Sequence, residues 1–498
     1  MGGRVVHEDL AGRRVLVAGL GVTGRAVVSA LEALAARGGA APEVLTLDAS
    51  APDADLAAET DVDLSGVDLV VASPGWRPSS PVLVEAVRRG IPVWSEVELA
   101  WRLRVDRVGG EGPAPWLVLT GTNGKTTTVG MLESVLRAAG LRAAAVGNVG
   151  TPVVTAATDP DVDVLAVELS SFQLHFTHSM AARAAAVLNV APDHLDWHGS
   201  FEAYAADKAR IFRGVEVACV YGTDDPLLEQ MVRDADVAEG ARAVGVTLGA
   251  PGPGQLGLVE GILVDRAFHA PVDDPQRQRS AAELGTTEDL AHLAGPDGRL
   301  AAHVLGDALT AAALARAHGV SAAAVRDGLR AYRPGAHRIE HVATVDDVRW
   351  VDDSKATNAH AAAASLAAFA PGSVVWVAGG LAKGARFEDL VRDRADRVRA
   401  VVLIGVDQAP WHEALARHAP AIPVVAVDPA DTGTVMTRAV TAARTLARAG
   451  DTVLLAPACA SMDQFASYAE RGDSFAGAVR ALAGAGSGAP AHDDPTAG

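Results

Sequence analysis

The stretch from Trp116 to Gly140, WLVLTGTNGKTTTVGMLESVLRAAG, constrains the fold of this 498-residue chain more than any other. Residues 116–120 are apolar and predict a buried parallel strand. A glycine-containing turn follows, and then apolar residues recur at helical spacing until Gly140 ends the helix. In a unit of strand, turn and helix, the backbone amides of the turn and the positive end of the helix face the same place, where an anion can bind. The stretch therefore predicts an anion-binding turn.

The residues of this turn indicate that the anion is a nucleotide phosphate. Lys125 can reach the terminal phosphates, and the hydroxyl group of Thr126 can hold Mg²⁺. The strict pattern requires glycine where this chain has Leu119, and a plain glycine turn before a helix is the alternative. The Lys-Thr pair at the end of a strand favours phosphate binding. The predicted ATP-binding loop consists of Gly121, Thr122, Asn123, Gly124, Lys125, Thr126 and Thr127.

Lysine is rare in this chain. Lysine and arginine together number 43, but the only lysines are Lys125, Lys208, Lys355 and Lys383. Arginine therefore carries most of the solvated positive charge, and lysine remains where a compact or deprotonatable amine is needed. Chance is the alternative, but all four lysines fall in segments that other patterns single out. We treat the four amines as candidate site residues.

Composition excludes several classes of protein. The length predicts about three domains. No apolar run is long enough to span a membrane, and the N-terminus lacks a signal pattern. Two cysteines are too few for a disulfide framework, which favours the cytoplasm, and the net charge of −18 argues against sequence-independent nucleic-acid binding. We expect a monomer that acts on small molecules, not on nucleic acid or a membrane.

Residues 1–110 predict a small Rossmann-like domain. The segment 14–24, RVLVAGLGVTG, has the G-x-G-x-x-G spacing, VLTLD ends in Asp48, and DLVVASPG contains Ser73. Taken alone, this is the fingerprint of a dinucleotide site with its ribose-binding acid, as in a nicotinamide-dependent dehydrogenase. Any strand-helix-strand unit with a tight turn shows the same spacing. We expect a nucleotide-like ligand at the ends of these strands.

Polar residues follow the predicted strands of a central domain, residues 111–335. Asn148 lies in a turn, Glu168 ends the strand of VELSSFQL, and His194 follows the strand of AAVLNV. Ligands bind at the carboxyl ends of such strands, so these groups are expected to converge on the phosphate loop and bind Mg²⁺ or Mn²⁺. Lys208 lies on the next predicted helix. We interpret residues 273–290 as a surface insertion or mobile loop.

The third domain, residues 336–484, is again predicted as alternating strands and helices with polar groups at the strand ends. Residues 485–498 are small and polar and predict a disordered tail. The predicted fold class is therefore α/β with three domains. We expect an N-terminal Rossmann-like domain, a central P-loop ATPase-type parallel sheet with helices, and a C-terminal Rossmann-like domain.

These motifs together resemble the Mur ligase family, the ATP-dependent amide-forming enzymes of peptidoglycan precursor synthesis. The shared features are GTNGKTTT, the glutamate of VELSSFQL, NVAPDHLDWHG, the helical Lys208 and the His-Arg pair at 337–338. DSKATN at 353–358, AGGLAKG at 378–384 and PACASMDQF at 457–465 are similar to the branch that adds D-glutamate. The resemblance covers nearly the whole chain, in the same order.

The resemblance implies a role for each matching residue. The UDP-muramoyl substrate would contact Asp48, Ser73 and Asn148. The phosphates and metal ions would be held by Lys125, Thr126, Glu168 and His194. Lys208 matches a lysine that CO₂ converts to a carbamate, which acts at the second metal ion. On the ATP side of the C-terminal domain the matching residues are Arg338, Asp353 and Lys355. The glutamate pocket would contain Thr357, Lys383, Ser461 and Tyr468.

The chain departs from the family at two places. The family typically has His-Asn and a further Asn near the adenine, where this chain has His303, Val304 and Asp307. The adenine contacts therefore stay open. Tyr468 stands where phenylalanine is common, which keeps L-glutamate open as an alternative acceptor.

The resemblance implies ligation through an acyl phosphate, with ATP, two Mg²⁺ ions and carbamylated Lys208. D-glutamate would be joined to UDP-N-acetylmuramoyl-L-alanine, with release of ADP and phosphate. The candidate catalytic residues are Lys125, His194, Lys208, Arg338 and Lys355. Two rival hypotheses remain, namely an NAD-dependent dehydrogenase that uses the Gly19–Gly24 turn and an ATP-gated scaffold that docks partners through residues 250–300.

Overall fold

The computed structural model describes residues 10–36, 41–148, 150–295 and 298–486. By their internal contacts these residues form two compact units. The first unit runs to His292 and includes Ala302–Tyr332, and the second consists of Leu293–Ala301 and the chain from Arg333 onward. Each unit is built from parallel strands connected by helices, so the predicted α/β fold class is confirmed.

The first unit begins with a four-stranded parallel sheet in the order β2-β1-β3-β4. Its elements are β1 (Arg14–Ala18), α1 (Val22–Ala36), β2 (Glu43–Leu47), β3 (Leu69–Ala72), α2 (Pro81–Arg88), β4 (Val93–Ser95) and α3 (Glu96–Leu103). Apart from Arg14, strands β1 and β3 are apolar and buried, as expected for parallel strands covered on both faces. The strand order reverses between β1 and β3, and such a switch point is where open α/β sheets bind ligands.

A nine-stranded sheet forms the rest of the first unit, in the order β13-β12-β11-β10-β9-β8-β5-β7-β6. Its strands are β5 (Trp116–Thr120), β6 (Ala143–Gly147), β7 (Val164–Glu168), β8 (Ala184–Val187), β9 (Ala218–Gly222), β10 (Arg242–Val246), β11 (Gln255–Val259), β12 (Ile262–Asp265) and β13 (Ala282–Thr286). Its helices are α4 (Lys125–Ala138), α5 (Val153–Ala157), α6 (Ser171–His175), α7 (Leu195–His198), α8 (Phe201–Ala209), α9 (Pro226–Arg233), α10 (Ala302–Ala317) and α11 (Ala322–Ala331). Strands β5 to β11 pair parallel with one another, whereas β12 pairs antiparallel with both β11 and β13.

The prediction for residues 273–290 was wrong in part. Strands β11, β12 and β13 extend the central sheet, and β13 lies inside the segment that we interpreted as a surface insertion or loop. Leu256, Leu263 and Leu284 are fully buried on these strands. Gly and Pro residues between the short apolar pieces suggested a loop, but pairing with the neighbouring strands of the sheet overrides that local signal.

The second unit contains a six-stranded sheet in the order β14-β15-β19-β16-β17-β18. Its strands are β14 (Glu340–Val345), β15 (Val348–Asp352), β16 (Val374–Gly379), β17 (Val398–Ile404), β18 (Val424–Ala426) and β19 (Thr452–Leu455). Its helices are α12 (Ala359–Ala367), α13 (Glu388–Arg394), α14 (Ala409–His418), α15 (Val435–Leu446) and α16 (Tyr468–Gly486). A β14–β15 hairpin is antiparallel, and the other strand pairs are parallel.

We propose that each sheet forms one domain, with bounds at residues 1–110, 111–335 and 336–484. The boundary between the two compact units, after Tyr332, falls close to the second of these divisions. Helix α16 continues to Gly486, and the predicted tail beyond it lies outside the described residues. Among the helices that the structure describes, none is long and apolar enough to cross a membrane.

Candidate active site

The predicted phosphate loop joins β5 to α4 at the carboxyl edge of the central sheet. Gly124 precedes the helix with a φ of 82°, in the left-handed region that favours glycine. A Cβ atom at this position would lie 2.5 Å from Oδ1 of Asp307. The backbone conformation therefore favours glycine here, and a Cβ atom would in addition displace the Asp307 carboxylate. The structure thus brings Asp307, a residue whose role the sequence left open, against the loop.

The side chain of Asn189, at the end of β8, holds the phosphate loop in shape. Its Oδ1 accepts hydrogen bonds from the backbone amides of Thr122 (3.1 Å) and Asn123 (2.9 Å), and its Nδ2 donates to the Asn123 carbonyl (3.1 Å). The hydroxyl groups of Thr122 and Tyr204 are 2.9 Å apart. Sequence reasoning did not assign Asn189 to the site. Asparagine is as rare as lysine in this chain, so the same rarity argument would have found it.

Two of the four lysines converge on this loop. Nζ of Lys125 donates to the carbonyls of Gly121 and Thr122, at 2.9 Å each, and Nζ of Lys208 donates to the Gly121 carbonyl at 2.9 Å. Only 2% of Lys208 is exposed. Burial, helped by the positive charge of Lys125, holds the pKa of Lys208 well below its usual range. Lys208 therefore lies at the loop as an amine that loses its proton readily.

Glu168 ends β7, next to the phosphate loop in the sheet. Its Oε1 accepts a hydrogen bond from Nδ2 of Asn148 (2.9 Å), and the residue is 1% exposed. The other oxygen, Oε2, is buried and has no hydrogen-bond partner in the part of the chain that the structure describes. A buried carboxylate oxygen without a partner is costly, and a metal ion is one way to satisfy it. Glu168 thus fits the metal-binding role that the sequence predicted.

His194 directly precedes the short helix α7 with a φ of 54°, and its ring lies beside that of Phe172. The centroids of the two rings are 4.8 Å apart. Nε2 of His194 lies 3.5 Å from an oxygen of Asp193.

Thr126 is in the first turn of α4, after Lys125. The donor set is therefore a carboxylate, an imidazole and a hydroxyl group, and it fits Mg²⁺ or Mn²⁺. Lys208 is itself a cation and could join the set only as a carbamate.

In the first sheet, Asp48 and Ser73 hold the glycine turn. The Asp48 carboxylate accepts hydrogen bonds from Leu20 N (2.7 Å), Ser50 N (2.8 Å), Ser50 Oγ (2.7 Å) and Ala51 N (3.2 Å), and these bonds lower its pKa to about 2. The Ser73 hydroxyl donates to the Gly19 carbonyl (3.0 Å). Three of these bonds end on Oδ1 and one on Oδ2, so Oδ2 keeps a position that can accept a hydrogen bond from a ligand.

In the second unit, Asp352 and Asp353 end β15 in buried positions. Asp352 accepts a hydrogen bond from Nδ1 of His337 (2.7 Å). Asp353 accepts from Ser365 Oγ and from the backbone amide of Ile339. Burial raises the pKa of Asp353 to about 7, although the nearby positive charge of Arg338 acts in the opposite direction. The predicted ATP-side residues Arg338 and Asp353 therefore lie close enough to interact electrostatically.

Lys355 and Tyr468 also meet in the second unit. Nζ of Lys355 donates to the Tyr468 hydroxyl at 3.3 Å and lies 4.8 Å from the centroid of its ring. Buried Arg471 fixes the loop that carries Lys355, since its guanidinium donates to Ser354 Oγ (3.0 Å) and the Ser354 carbonyl (2.8 Å). It also donates to the Cys459 carbonyl (3.0 Å), in the segment before Ser461. Sequence reasoning missed Arg471 because one arginine among many carries no signal.

Lys383 lies at a different point of the same unit. It has a φ of 51° and lines a cavity of about 800 Å³ together with Arg386, Asp407, Glu413 and Arg417. The predicted glutamate residues Thr357, Ser461 and Tyr468 do not line this cavity. A backbone bridge between Leu381 and Ala460 nevertheless joins the Lys383 loop to the Ser461 loop. Each compact unit therefore contributes two of the four lysines.

Two family models match the chain. The model described as the Mur ligase middle domain matches residues 119–249, and the one described as the Mur ligase glutamate ligase domain matches residues 337–459. The first match includes the phosphate loop, Glu168, His194 and Lys208. The second includes Arg338, Lys355 and Lys383.

The chain is also similar over most of its length to curated proteins named UDP-N-acetylmuramoylalanine–D-glutamate ligase. It is 56% identical to the Streptomyces coelicolor protein over 490 residues, which is 95% of this chain and 99% of that one. It is 52% identical to the Thermobifida fusca protein over 494 residues, which is 96% of this chain and 100% of that one. Such identity over such coverage shows common family membership.

Solved structures support the fold. The UDP-N-acetylmuramate-alanine ligase MurC from Thermotoga maritima superposes with a TM-score of 0.54 at 15% identity, covering 94% of this chain and 99% of that one. A murein peptide ligase from Psychrobacter arcticus gives a TM-score of 0.52 at 17% identity, covering 96% and 100%. At this identity the likeness concerns the fold alone.

Proposed function

The chain belongs to the Mur ligase family, and we propose that it joins D-glutamate to UDP-N-acetylmuramoyl-L-alanine while converting ATP to ADP and phosphate. The names of its relatives, at 56% and 58% identity over nearly the full chain, support this substrate pair. The observation that carries the proposal is the meeting of Lys125, Lys208 and the unpaired oxygen of Glu168 at one sheet edge. A phosphate-transferring site needs fixed cations and a metal ligand at such a point.

The chemical task is to form an amide from a carboxylate, which resists attack by an amine. In our proposal an oxygen of the substrate carboxylate attacks the γ-phosphorus of ATP, the bond to ADP breaks, and an acyl phosphate forms. The amine of glutamate then attacks the acyl carbon, and the tetrahedral intermediate expels phosphate and loses a proton. Lys125 and Arg338 offset the negative charge that gathers between the two anions. The side chains act mainly by positioning and electrostatics.

We propose that the metal ions are held by Thr126, Glu168, His194 and carbamylated Lys208. Mg²⁺, or Mn²⁺ in its place, would polarise the transferred phosphoryl group when bound. The carbamate forms when the neutral amine of Lys208 attacks CO₂ and loses a proton, which turns a cation into an anionic oxygen donor. The lowered pKa of Lys208 supports this step because it increases the fraction of neutral amine. An arginine could not form the carbamate.

The UDP-muramoyl substrate is proposed to bind at the first sheet and at Asn148. Ser73 lies at the switch point of that sheet and its oxygen can still accept a hydrogen bond. The carboxylate of Asp48 is already bonded to the chain, so Asp48 would act by ordering the turn at Leu20. Asn148 is bonded to Glu168, and this bond would tie the substrate site to the metal site.

The C-terminal domain is proposed to bring the amino acid and to complete the ATP site. Arg338, Asp353 and Lys355 would act on the ATP side. The glutamate would be bound by Thr357, Lys383, Ser461 and Tyr468. The names of the relatives support D-glutamate, whereas the Tyr468 hydroxyl keeps L-glutamate as the alternative. We further propose that the protein acts as a cytoplasmic monomer.

A phosphate-release assay with each acceptor tests this function. We expect release that requires ATP, UDP-N-acetylmuramoyl-L-alanine and D-glutamate together, with L-glutamate at least ~10²-fold slower, because a site that pairs polar groups rejects a misplaced one strongly. Release with L-glutamate at the same rate would establish the alternative acceptor. Release from ATP alone would contradict the ligase and favour the ATP-gated scaffold.

A further inference from the structure

A buried carboxylate, that of Asp207, joins three side chains beside the phosphate loop. Its Oδ2 accepts hydrogen bonds from Nδ1 of His175 (2.8 Å) and from Nδ1 of His198 (3.0 Å). Its Oδ1 lies 3.0 Å from Nε of Arg210. Asp207 is 4% exposed, and these bonds hold its pKa at about 2 against the effect of burial. Because three side chains bond to it, the Asp207 carboxylate is held in one position.

The bonds continue from His198 to Ser171. Nε2 of His198 lies 2.9 Å from the Ser171 hydroxyl. Because Nδ1 donates to Asp207, the neutral ring accepts at Nε2, and the Ser171 hydroxyl donates. The order Ser-His-Asp is that of a nucleophilic triad. Ser171 is 2% exposed and the His198 side chain is fully buried, so no substrate can reach the hydroxyl group. These Ser-His-Asp hydrogen bonds therefore do not serve nucleophilic catalysis.

Each side chain in this cluster lies close in sequence to a proposed metal-site residue. Ser171 comes three residues after Glu168, His198 comes four residues after His194, and Asp207 directly precedes Lys208. Phe172 connects them further, since it stacks on His198 at an angle of 9° and contacts His194 with centroids 4.8 Å apart. Three segments from different parts of the chain are thereby held by one carboxylate.

We propose that Asp207 is a positioning residue that holds the segments carrying Glu168, His194 and Lys208 in the arrangement required by a divalent cation. This inference rests on the proposed function, because it takes those three residues as the metal site. Groups behind metal ligands orient them, and changing such groups typically costs about 10- to 100-fold in metal affinity. Asp207 acts in this way through its neighbours and touches no reacting atom.

The test measures binding of Mn²⁺ to the whole protein in the presence of ADP and bicarbonate, with free Mn²⁺ followed by electron paramagnetic resonance. Asp207→Ala is expected to weaken Mn²⁺ binding ~10-fold or more. Asp163→Asn is the matched control, since it removes a carboxylate that is bonded to Arg142 at another edge of the same sheet. The control is expected to bind Mn²⁺ as the wild type does. Wild-type affinity in Asp207→Ala would overturn the inference.

A second pair of variants guards against misfolding of Asp207→Ala. His175 is partly exposed, so its variants should fold. His175→Asn retains a side-chain N–H for Asp207, whereas His175→Leu removes it. We expect weaker Mn²⁺ binding in the leucine variant and nearly wild-type binding in the asparagine variant. Equal affinities in the two variants would contradict a positioning role, whatever their thermal stabilities.

Glu168→Gln separates failure of this inference from failure of the proposed function. If Glu168→Gln weakens Mn²⁺ binding while Asp207→Ala and His175→Leu do not, the metal site stands and the positioning role is wrong. If Glu168→Gln also binds Mn²⁺ normally, the metal site itself is wrong, and the inference falls with it.

Discussion

At the scale of single residues, rarity was the most informative property of the sequence. The four lysines were singled out because arginine takes the other positively charged positions, and the structure joins Lys125 and Lys208 at one carbonyl. Arg471 and Asp207 could not be found in this way. Arginine and aspartate are common in the chain, and their importance comes from burial and partners that only the folded chain has.

Substitution of Lys208 tests the carbamate hypothesis directly. Lys208→Ala and Lys208→Arg should both lower kcat at least ~10²-fold, because neither side chain can form the anionic oxygen donor. Ligation rates measured with and without added bicarbonate provide the check. Full activity of the arginine variant would end the carbamate hypothesis, since it would show that a positive charge alone suffices.

The raised pKa of Asp353 makes the stability of the folded chain depend on pH. Its pKa is about 7 in the folded chain and ~3.9 in the unfolded chain, so the folded chain binds the proton more tightly. The free energy of unfolding therefore contains a contribution that is present below about pH 4 and is lost as the pH rises to about 7. Asp353→Asn resembles the protonated form and lacks this loss.

Urea unfolding of both proteins at about pH 5 and about pH 8 measures the effect. The stability of Asp353→Asn relative to the wild type should be greater at the higher pH. The same difference at both pH values would show that the carboxyl group titrates normally.

At the scale of elements, the strand-turn-helix unit around the phosphate loop was predictable because its signals are local. Apolar strand residues, a glycine turn and helical spacing all lie within Trp116–Gly140, and the structure gives β5 and α4 there. Strands β11 to β13 were missed because their stability comes from pairing across the sheet and not from their own sequence. The same limit applies to α16, because its Arg471 bonds to Ser354, which is far away in the sequence.

Adding one methyl group to the phosphate loop, at Gly124, should have a strong effect on nucleotide binding. Gly124→Ala places a Cβ atom 2.5 Å from Asp307 at a backbone φ of 82°. The added Cβ atom strains the backbone and displaces the Asp307 carboxylate, and we expect nucleotide binding to weaken at least ~10-fold. Gly477→Ala is the matched control, because it lies in helix α16 with no atom within 4 Å of the added Cβ.

Calorimetric titration with ADP checks both variants. The control should bind ADP as the wild type does and gain about 0.5–1 kcal/mol of stability, as alanine does over glycine within a helix. Normal ADP binding by Gly124→Ala would mean that the loop does not bind phosphate.

At the scale of the whole molecule, three sheets bring their strand ends to three clusters of polar side chains. The sequence predicted this organisation because each sheet repeats the pattern of a buried strand followed by polar residues. It could not predict that Asp48 is occupied by its own turn, or that Lys383 lines a cavity apart from Lys355 and Tyr468. Both features depend on contacts between loops and side chains, and these contacts form only when the chain folds.

We expect the protein to act as a monomer, because no proposed role requires a residue from a second copy. Size-exclusion chromatography with light scattering should give the mass of a single chain, and the rate of ligation per chain should not depend on protein concentration. A rate that rises with concentration would contradict the proposed monomer.

The transfer of an oxygen atom tests the central claim, ligation through an acyl phosphate, most directly. The substrate is UDP-N-acetylmuramoyl-L-alanine with ¹⁸O in its carboxylate, and ³¹P nuclear magnetic resonance detects ¹⁸O in the phosphate released with D-glutamate. Because the carboxylate oxygen that attacks ATP leaves with the phosphoryl group, we expect one ¹⁸O atom in each phosphate. Phosphate without ¹⁸O would contradict the acyl phosphate and the mechanism built on it.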